Sequence, residues 1–424
     1  MDKLELTVDH IGMNGDGVAY HNERPYYIPF TARGDRILAT VGEKRGKGFA
    51  ASIDTILSPS QDRQTPKCRH FGSCGGCGLQ HLKPDVLADW KQEKIRQSLQ
   101  SIGAAKTTVG PVRTSPEYSR RRVEFIAAKR KKGVMVGYHL RRSHQIFDVG
   151  ECPLITSPLL ALVKPLRTVL ADVMPRNSQA RLTISDTLNG PDLLITGPIT
   201  ADLDARERLA TFAQTEKLSR IALINEGDNM LEVIAELKPP LIQVGRNTVA
   251  IPPGGFLQAT QEGQDALIEM LLDVLPKDAK VLDLFSGCGS FSLPAVHQAK
   301  SVHAVEGDKS LTAALQTAAN SKMLPIEAEY RDLFRRPLLP EEFAPYDTVI
   351  IDPPRAGAKA QVEELAFSNI KTIIFISCNP VSYARDAEIL LDRGYILSNV
   401  TPIDQFLWSS HVELFSVFTK AQAF

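Results

Sequence analysis

The sequence predicts a multidomain α/β protein in which a small N-terminal β-barrel and a mixed α/β central region precede a C-terminal parallel sheet with crossover helices. Three observations lead there. At 424 residues the chain exceeds what one hydrophobic core usually organises, so two or three domains are expected. Short strand-like runs between glycine and proline punctuation occupy residues 1–60, whereas after Pro253-Gly254-Gly255 strand-like runs alternate with helix-length segments. The composition, 43% hydrophobic and 23% charged, is that of an ordinary globular protein and excludes wholesale disorder.

Taken in order, LELTVDHI, GVAYH, PYYIPF, DRILATVGEK and FAASIDTIL read as strands of an OB-like barrel over 1–60, ended by Ser58-Pro59-Ser60. Tyr20, Tyr26, Tyr27 and Phe30 are its candidates for base stacking, with core packing expected for at least half of them. A loop over 66–80 carries cysteines and glycines. Leu87, Trp90, Ile95, Leu99 and Ile102 then recur at helical spacing, predicting a helix over 86–102 whose packing against the C-terminal domain is left open. The runs RLTISDT, DLLITG, RIALINEG and LEVIAEL, with a helical stretch near 202–216, make 61–252 a mixed central domain without a catalytic signature. Over 253–424, AKVLDLF, SVHAVE, IEAEY, DTVIID, KTIIFIS and YILSNV form the strands of a parallel sheet.

Charge narrows the partners. Lysine plus arginine and aspartate plus glutamate number 49 each, so a nucleic acid would have to be held by local charge. Arg120 to Arg142 holds nine basic residues against the single acid Glu124, in a pattern that suggests a basic hairpin suited to phosphate. A solvated charged face is the plain alternative. The N-terminus lacks the order of a signal peptide, and Lys164, Pro165 and Arg167 interrupt the apolar stretch 158–174. A cytoplasmic monomer with no membrane association and no obligate protein partner is expected.

The segment Val281 to Ser290 is a buried strand running into a Gly287-x-Gly289 turn, where glycines let the backbone approach a ligand. The next strand ends at Glu306, a residue able to accept hydrogen bonds from both hydroxyls of an adenosine ribose. Ser290, Phe291 and Ser292 follow the turn, so the third glycine of a dinucleotide fingerprint is missing. A ligand without a pyrophosphate, such as S-adenosylmethionine, demands it less. Asp332, after the third strand, is a further candidate for adenine or a nearby amide.

Two motifs close the next strands, Asp352-Pro353-Pro354-Arg355 and Ser377-Cys378-Asn379-Pro380. Strand ends of an open parallel sheet line the ligand crevice, and the prolines hold the chain extended there. Cys378 is a candidate nucleophile and Glu413, in Ser410-His411-Val412-Glu413, a candidate base. C5 of uracil is too poor a nucleophile to attack a methyl sulfonium directly. Thiolate addition at C6 enriches it, and a base then removes the C5 proton so that the thiolate can leave. Elsewhere, Cys68, Cys74, Cys77 and the distant Cys152 form a C-x5-C-x2-C cluster plus one, in which four thiolates suit tetrahedral zinc or an iron–sulfur cluster better than disulfides.

Together FLQAT, LDLFSGCGS, VEGD, DPPR, SCNP and HVE resemble, in order and over nearly the whole chain, the RNA 5-methyluridine methyltransferase family. The resemblance implies a Rossmann-like class I methyltransferase domain with Cys378 as nucleophile and Glu413 as proton acceptor. It implies S-adenosylmethionine contacts at Gln258, Phe285, Ser290, Glu306, Asp332 and Asp352. Ser290 and Asp332 stand where asparagine is frequent. PKCRHFGSCGGCGLQH resembles the family's iron–sulfur loop, which implies a [4Fe-4S] cluster on Cys68, Cys74, Cys77 and Cys152, structural or RNA-facing, and the barrel resembles a TRAM domain. RNA is the implied partner. Large-subunit ribosomal RNA is favoured over the T-loop of tRNA because the barrel-plus-cluster arrangement resembles bacterial rRNA enzymes. Transfer to an exocyclic amine and a non-catalytic RNA-binding protein or chaperone are the rival readings.

Overall fold

The computed structural model describes residues 3–141, 143–227 and 229–420. Alternating apolar positions in Lys3–Ile11, Gly17–His21, Arg24–Ile28, Arg36–Arg45 and Gly48–Ser58 point inward, and these strands close into a barrel around Leu6, Ala19, Tyr26, Ile28, Ile37, Ala39 and Ala51. Of the four stacking candidates, Tyr26 belongs to this core and Tyr20 is exposed. Phe30 packs edge-on against Phe71, with the Arg141 guanidinium 4.6 Å from its ring centre.

The central region is built on a largely antiparallel sheet in which Arg122–Arg130 pairs with Gly133–His139 and with Gln179–Ser185. One parallel step, Asp192–Gly197 to Arg220–Asn225, is bridged by the helix Leu203–Thr215. The basic hairpin is therefore present, but several of its cations are committed to the fold. Arg121 is buried, and Lys129 Nζ donates to the carbonyls of Ala171 and Met174 at 2.6 Å each. Arg130, Lys131 and Lys132 are exposed at the tip, and Arg142 lies outside the described residues.

Among the described residues, the C-terminal sheet runs in the spatial order Ile326–Tyr330, Ser301–Glu306, Lys280–Leu284, Thr348–Ile351, Thr372–Ser377, Glu413–Lys420, Tyr395–Asp404. The first five are parallel and Glu413–Lys420 is antiparallel to its neighbours. Chain direction across the sheet reverses at Lys280–Leu284, which places the ligand crevice at the carboxyl ends of the central strands. The helix that follows the glycine turn is short, Ser292–Ala295.

An upstream segment completes this sheet. Thr108–Val109 and Arg113–Thr114 pair with Tyr395–Asp404, and the helix Pro84–Gln100 seats Ile95 and Leu99 in the same core as Val349, Phe375 and Tyr383. Burying two such side chains contributes roughly 3–6 kcal/mol. The helix also carries Lys91, whose Nζ lies 2.5 Å from Asp404 Oδ1 with both side chains at 2% exposure or less. Among the described residues no helix is long and apolar enough to cross a membrane.

Candidate active site

Three strands deliver the reacting groups. Thr348–Ile351 ends at Asp352, Thr372–Ser377 ends at Cys378, and Glu413 begins the antiparallel strand hydrogen-bonded to the latter. Glu413 is 3% exposed. Two amides connect its carboxyl to that of Asp352. Gln405 Nε2 donates to Glu413 Oε2 at 3.4 Å and to Gln258 Oε1 at 2.7 Å, while Gln258 Nε2 donates to Asp352 Oδ2 at 3.3 Å. The backbone carbonyl of Gln258 is held in turn by Arg121 Nε at 3.0 Å, and Arg121 also reaches Gln261 and Gln264.

The electrostatics of this corner resist ionisation. Burial, then the charge of Asp352, pushes the Glu413 carboxyl well above the usual carboxylate range, and burial likewise raises Asp352. The Cys378 thiol is pushed up to about 12 by burial and by the facing Glu413 and Asp352, with Arg355 opposing. His411 is pushed down to about 4, chiefly by burial and next by Arg355 and Lys94, so its imidazole is neutral at physiological pH. Lys94 also donates to the Ser410 carbonyl at 2.6 Å, which fixes the loop leading into Glu413.

The other half of the crevice is built from backbone. Phe285 leaves its strand with φ of 61°, a left-handed conformation unusual for a bulky residue, and Gly287 and Gly289 follow at 56° and 93°. A Cβ on Gly289 would lie 2.4 Å from Leu315, whereas one on Gly287 would meet nothing within 4 Å. The turn is thus packed behind and open in front. Glu306 accepts from the amides of Gly287 at 2.9 Å and Asp308 at 2.8 Å. Asp332 accepts from the amides of Phe334 and Arg335 and pairs with the Arg335 guanidinium at 3.4 Å. The Phe285 ring lies 5.5 Å from that of Phe334, and Ser290 is buried. Asp283 Oδ1 and Ser286 Oγ are buried without a hydrogen-bond partner at this end of the sheet, a vacancy in polar satisfaction that suits a polar ligand.

Asp283, Gln405 and Arg121 were not singled out by sequence. A carboxylate inside the apolar run Val281-Leu282-Asp283-Leu284 is a readable signal, because buried acids are rare without a partner or a role. Gln405 and Arg121 carry no local signal, since their partners lie on distant segments.

Cys68, Cys74, Cys77 and Cys152 line one small cavity with His70, Phe71, Tyr138 and Phe147. Among the described residues, no three His, Cys, Asp or Glu side chains are grouped as a single-ion site. The loop is tied to the reaction corner. Gly78 and Leu79 both donate their amides to the Trp408 carbonyl at 3.0 Å, and Trp408 packs with Cys77, Leu79, Leu82 and Leu87.

The sheet order and the placement of these groups at its strand ends define the class I methyltransferase fold. A family model described as tRNA (Uracil-5-)-methyltransferase matches residues 245–421. An uncharacterised RNA methyltransferase of Brucella suis is 40% identical over 420 residues, covering 99% of this chain and 98% of that one. The 23S rRNA (uracil(1939)-C(5))-methyltransferase of Vibrio vulnificus is 29% identical over 430 residues, covering 98% and 96%. In fold, the chain is similar to the Pyrococcus abyssi tRNA (uracil-54, C5)-methyltransferase solved with S-adenosyl-L-homocysteine, at a TM-score of 0.75 and 20% identity over 98% of this chain and 99% of the other. The chain belongs to the same family as the Brucella RNA methyltransferase and is an RNA methyltransferase.

Proposed function

We propose that the chain methylates C5 of a uridine in folded RNA through a covalent adduct on Cys378, with S-adenosylmethionine as donor. The observation that carries this reading is the convergence of Cys378, Glu413 and Asp352 at neighbouring strand ends beside an open glycine turn. S-adenosylmethionine, when bound, supplies an electrophilic methyl group. Gln258, Phe285, Ser290, Glu306, Asp332 and Asp352 are the residues assigned to hold it, with the unpartnered Asp283 and Ser286 oxygens lending support to a polar ligand here.

The chain's own groups then carry the steps. The Cys378 thiol gives its proton to water and its sulfur bonds to C6, sending the C5–C6 π pair toward C5 and O4. C5 takes the methyl group. Glu413 then removes the C5 proton, the C–H pair re-forms the double bond, and the C6–S pair leaves with sulfur. Burial of Glu413 suits this role, since a carboxyl with a raised pKa is the stronger base once ionised. A uridine stacked in folded RNA must be flipped out to reach the site, at about a few kcal/mol.

The name of the Vibrio relative supports large-subunit ribosomal RNA as the target, with the tRNA T-loop as the alternative. Residues 1–60 and the exposed hairpin tip are assigned to RNA binding, 61–252 to the central domain and 253–424 to methyl transfer. The four cavity cysteines are assigned to a [4Fe-4S] cluster, with zinc as the less favoured alternative, because they line one cavity together and four thiolates suit either group. Cys68, Cys74, Cys77 and Cys152 would hold the cluster, which would brace the loop that grips Trp408.

RNA carrying 5-fluorouridine tests the reaction, because fluorine at C5 leaves no proton for the base to remove. With S-adenosylmethionine and rRNA so substituted, a protein–RNA band stable to denaturation is expected for the wild type and none for Cys378→Ala. Turnover by Cys378→Ala at the wild-type rate would refute the mechanism. Comparing 5-methyluridine in rRNA and tRNA from a deletion strain separates the two targets.

A further inference from the structure

Gln405 is 2% exposed, yet its Oε1 has no hydrogen-bond partner. Its amide hydrogens are both directed at the reaction corner, one at Gln258 Oε1 and one at Glu413 Oε2. The opposite amide orientation would set Gln405 Oε1 against the Gln258 carbonyl oxygen, two acceptors face to face. Gln258 is itself oriented by its donation to Asp352. The pair of amides therefore forms a one-way array, with hydrogen bonds running from Gln405 to Gln258 and Glu413 and from Gln258 to Asp352. Leaving one oxygen unsatisfied is the structural cost of that direction.

We propose that Gln405 is a positioning residue for proton removal, holding the Glu413 carboxyl aimed and ionised so that it can take the C5 proton. This rests on the reading of Glu413 as the base. Among the described residues, the Gln405 amide is the hydrogen-bond donor that Glu413 has. The titratable groups that face Glu413 from the neighbouring strand ends, Asp352 and Cys378, both oppose its ionisation when they are anionic. Lys91, behind the loop, is matched by Asp404 at 2.5 Å. His411, on the same loop, is neutral. A neutral donor is thus what the site offers an anion at 413, and an apolar side chain at 405 would remove it. Burial raises the Glu413 carboxyl while the Gln405 hydrogen bond lowers it, which agrees with the geometry.

The step served is the elimination. The C5–H bond breaks, its proton goes to Glu413, its electron pair forms C5=C6, and the C6–S pair returns to Cys378 as thiolate. Single-turnover decay of the methylated adduct, followed across about pH 6 to 9.5, roughly two to five units above an ordinary glutamate, reads this step. Gln405→Met is nearly isosteric and removes both donors, and Gln405→Leu serves as a second apolar variant with melting temperature recorded for each. A base that ionises at higher pH is active only at higher pH. The expected result is an acid limb displaced upward by about one unit, so that decay is roughly tenfold slow near neutrality and recovers toward wild type at the alkaline end. Both variants should still form the 5-fluorouridine adduct, whose formation needs no removal of a C5 proton.

An unchanged profile in both folded variants, or a loss equal at every pH, overturns the proposal. Glu413→Gln is measured alongside. If that variant traps no methylated adduct, the assignment of the base fails and this proposal fails with it. If it traps the adduct while the Gln405 variants keep the wild-type profile, only the role of Gln405 is refuted.

Discussion

The two halves of the crevice treat their acids in opposite ways. In the transfer half, Glu413 is buried and Asp352 half-buried, with amides as their hydrogen-bond partners, and both are held toward the protonated form. In the donor half, Glu306 and Asp332 each accept two backbone amides, and Asp332 also has a guanidinium partner. A carboxylate satisfied by its own turn shapes a loop and presents what remains of its acceptor capacity to a ligand. A buried one left short of donors is unstable as an anion, and that instability is useful where a proton must be taken. The difference lies in which hydrogen bonds the fold supplies, since all four acids end, follow or begin a strand of one sheet.

Four substitutions would break or sharpen this contrast. Cys378→Ala, in the transfer half, should abolish methyl incorporation from labelled donor while equilibrium dialysis still detects donor binding; a variant that loses both would merge the two halves. Glu413→Gln should raise the melting temperature more at pH 8 than at pH 5. A folded-state carboxyl pKa above the unfolded value means stability is lost as pH rises from the unfolded pKa through the folded one, about 1.4 kcal/mol per unit of difference, and the amide escapes that loss. Equal shifts at both pH values would show the carboxyl unperturbed. Glu306→Ala should weaken donor binding by about 1–2 kcal/mol, as the Gly287 and Asp308 amides lose their acceptor. Asp332→Ala should cost less, about 0.5–1 kcal/mol, because its carboxylate is half exposed and its turn is local. Calorimetric titration of the donor ranks the two, and a larger effect at 332 would contradict the reading of the donor half.

Sequence made the strand-end residues legible for a topological reason. In a parallel sheet the carboxyl ends share one edge, so Asp352 and Cys378 can be placed together once their strands are recognised. Glycine turns are legible for a local one, since only glycine fits before Leu315 at position 289. What sequence did not reveal depends on pairs far apart in the chain. Gln405 meets Gln258 across a separation of 147 residues, and Arg121 meets Gln264 across 143. Nor does a charge run disclose which cations are taken. Arg121 and Lys129 read like Arg130 and Lys131, yet the first two are engaged inside the fold.

The union of Lys91 with Asp404, and of 108–114 with Tyr395–Asp404, bears on how the molecule is made. Synthesis delivers the helix Pro84–Gln100 some three hundred residues before the strand it must meet, so its apolar stripe waits on the nascent chain for a partner still unwritten. The last sheet to be translated is closed by one of the earliest segments. A fragment starting at residue 245 would lack the helix that pairs Lys91 with Asp404 and would leave bare the apolar surface on which Ile95 and Leu99 pack. The catalytic region is therefore contiguous in space but not in sequence, and dissecting it for study calls for co-expressing residues 84–114 rather than cutting the chain at the domain boundary.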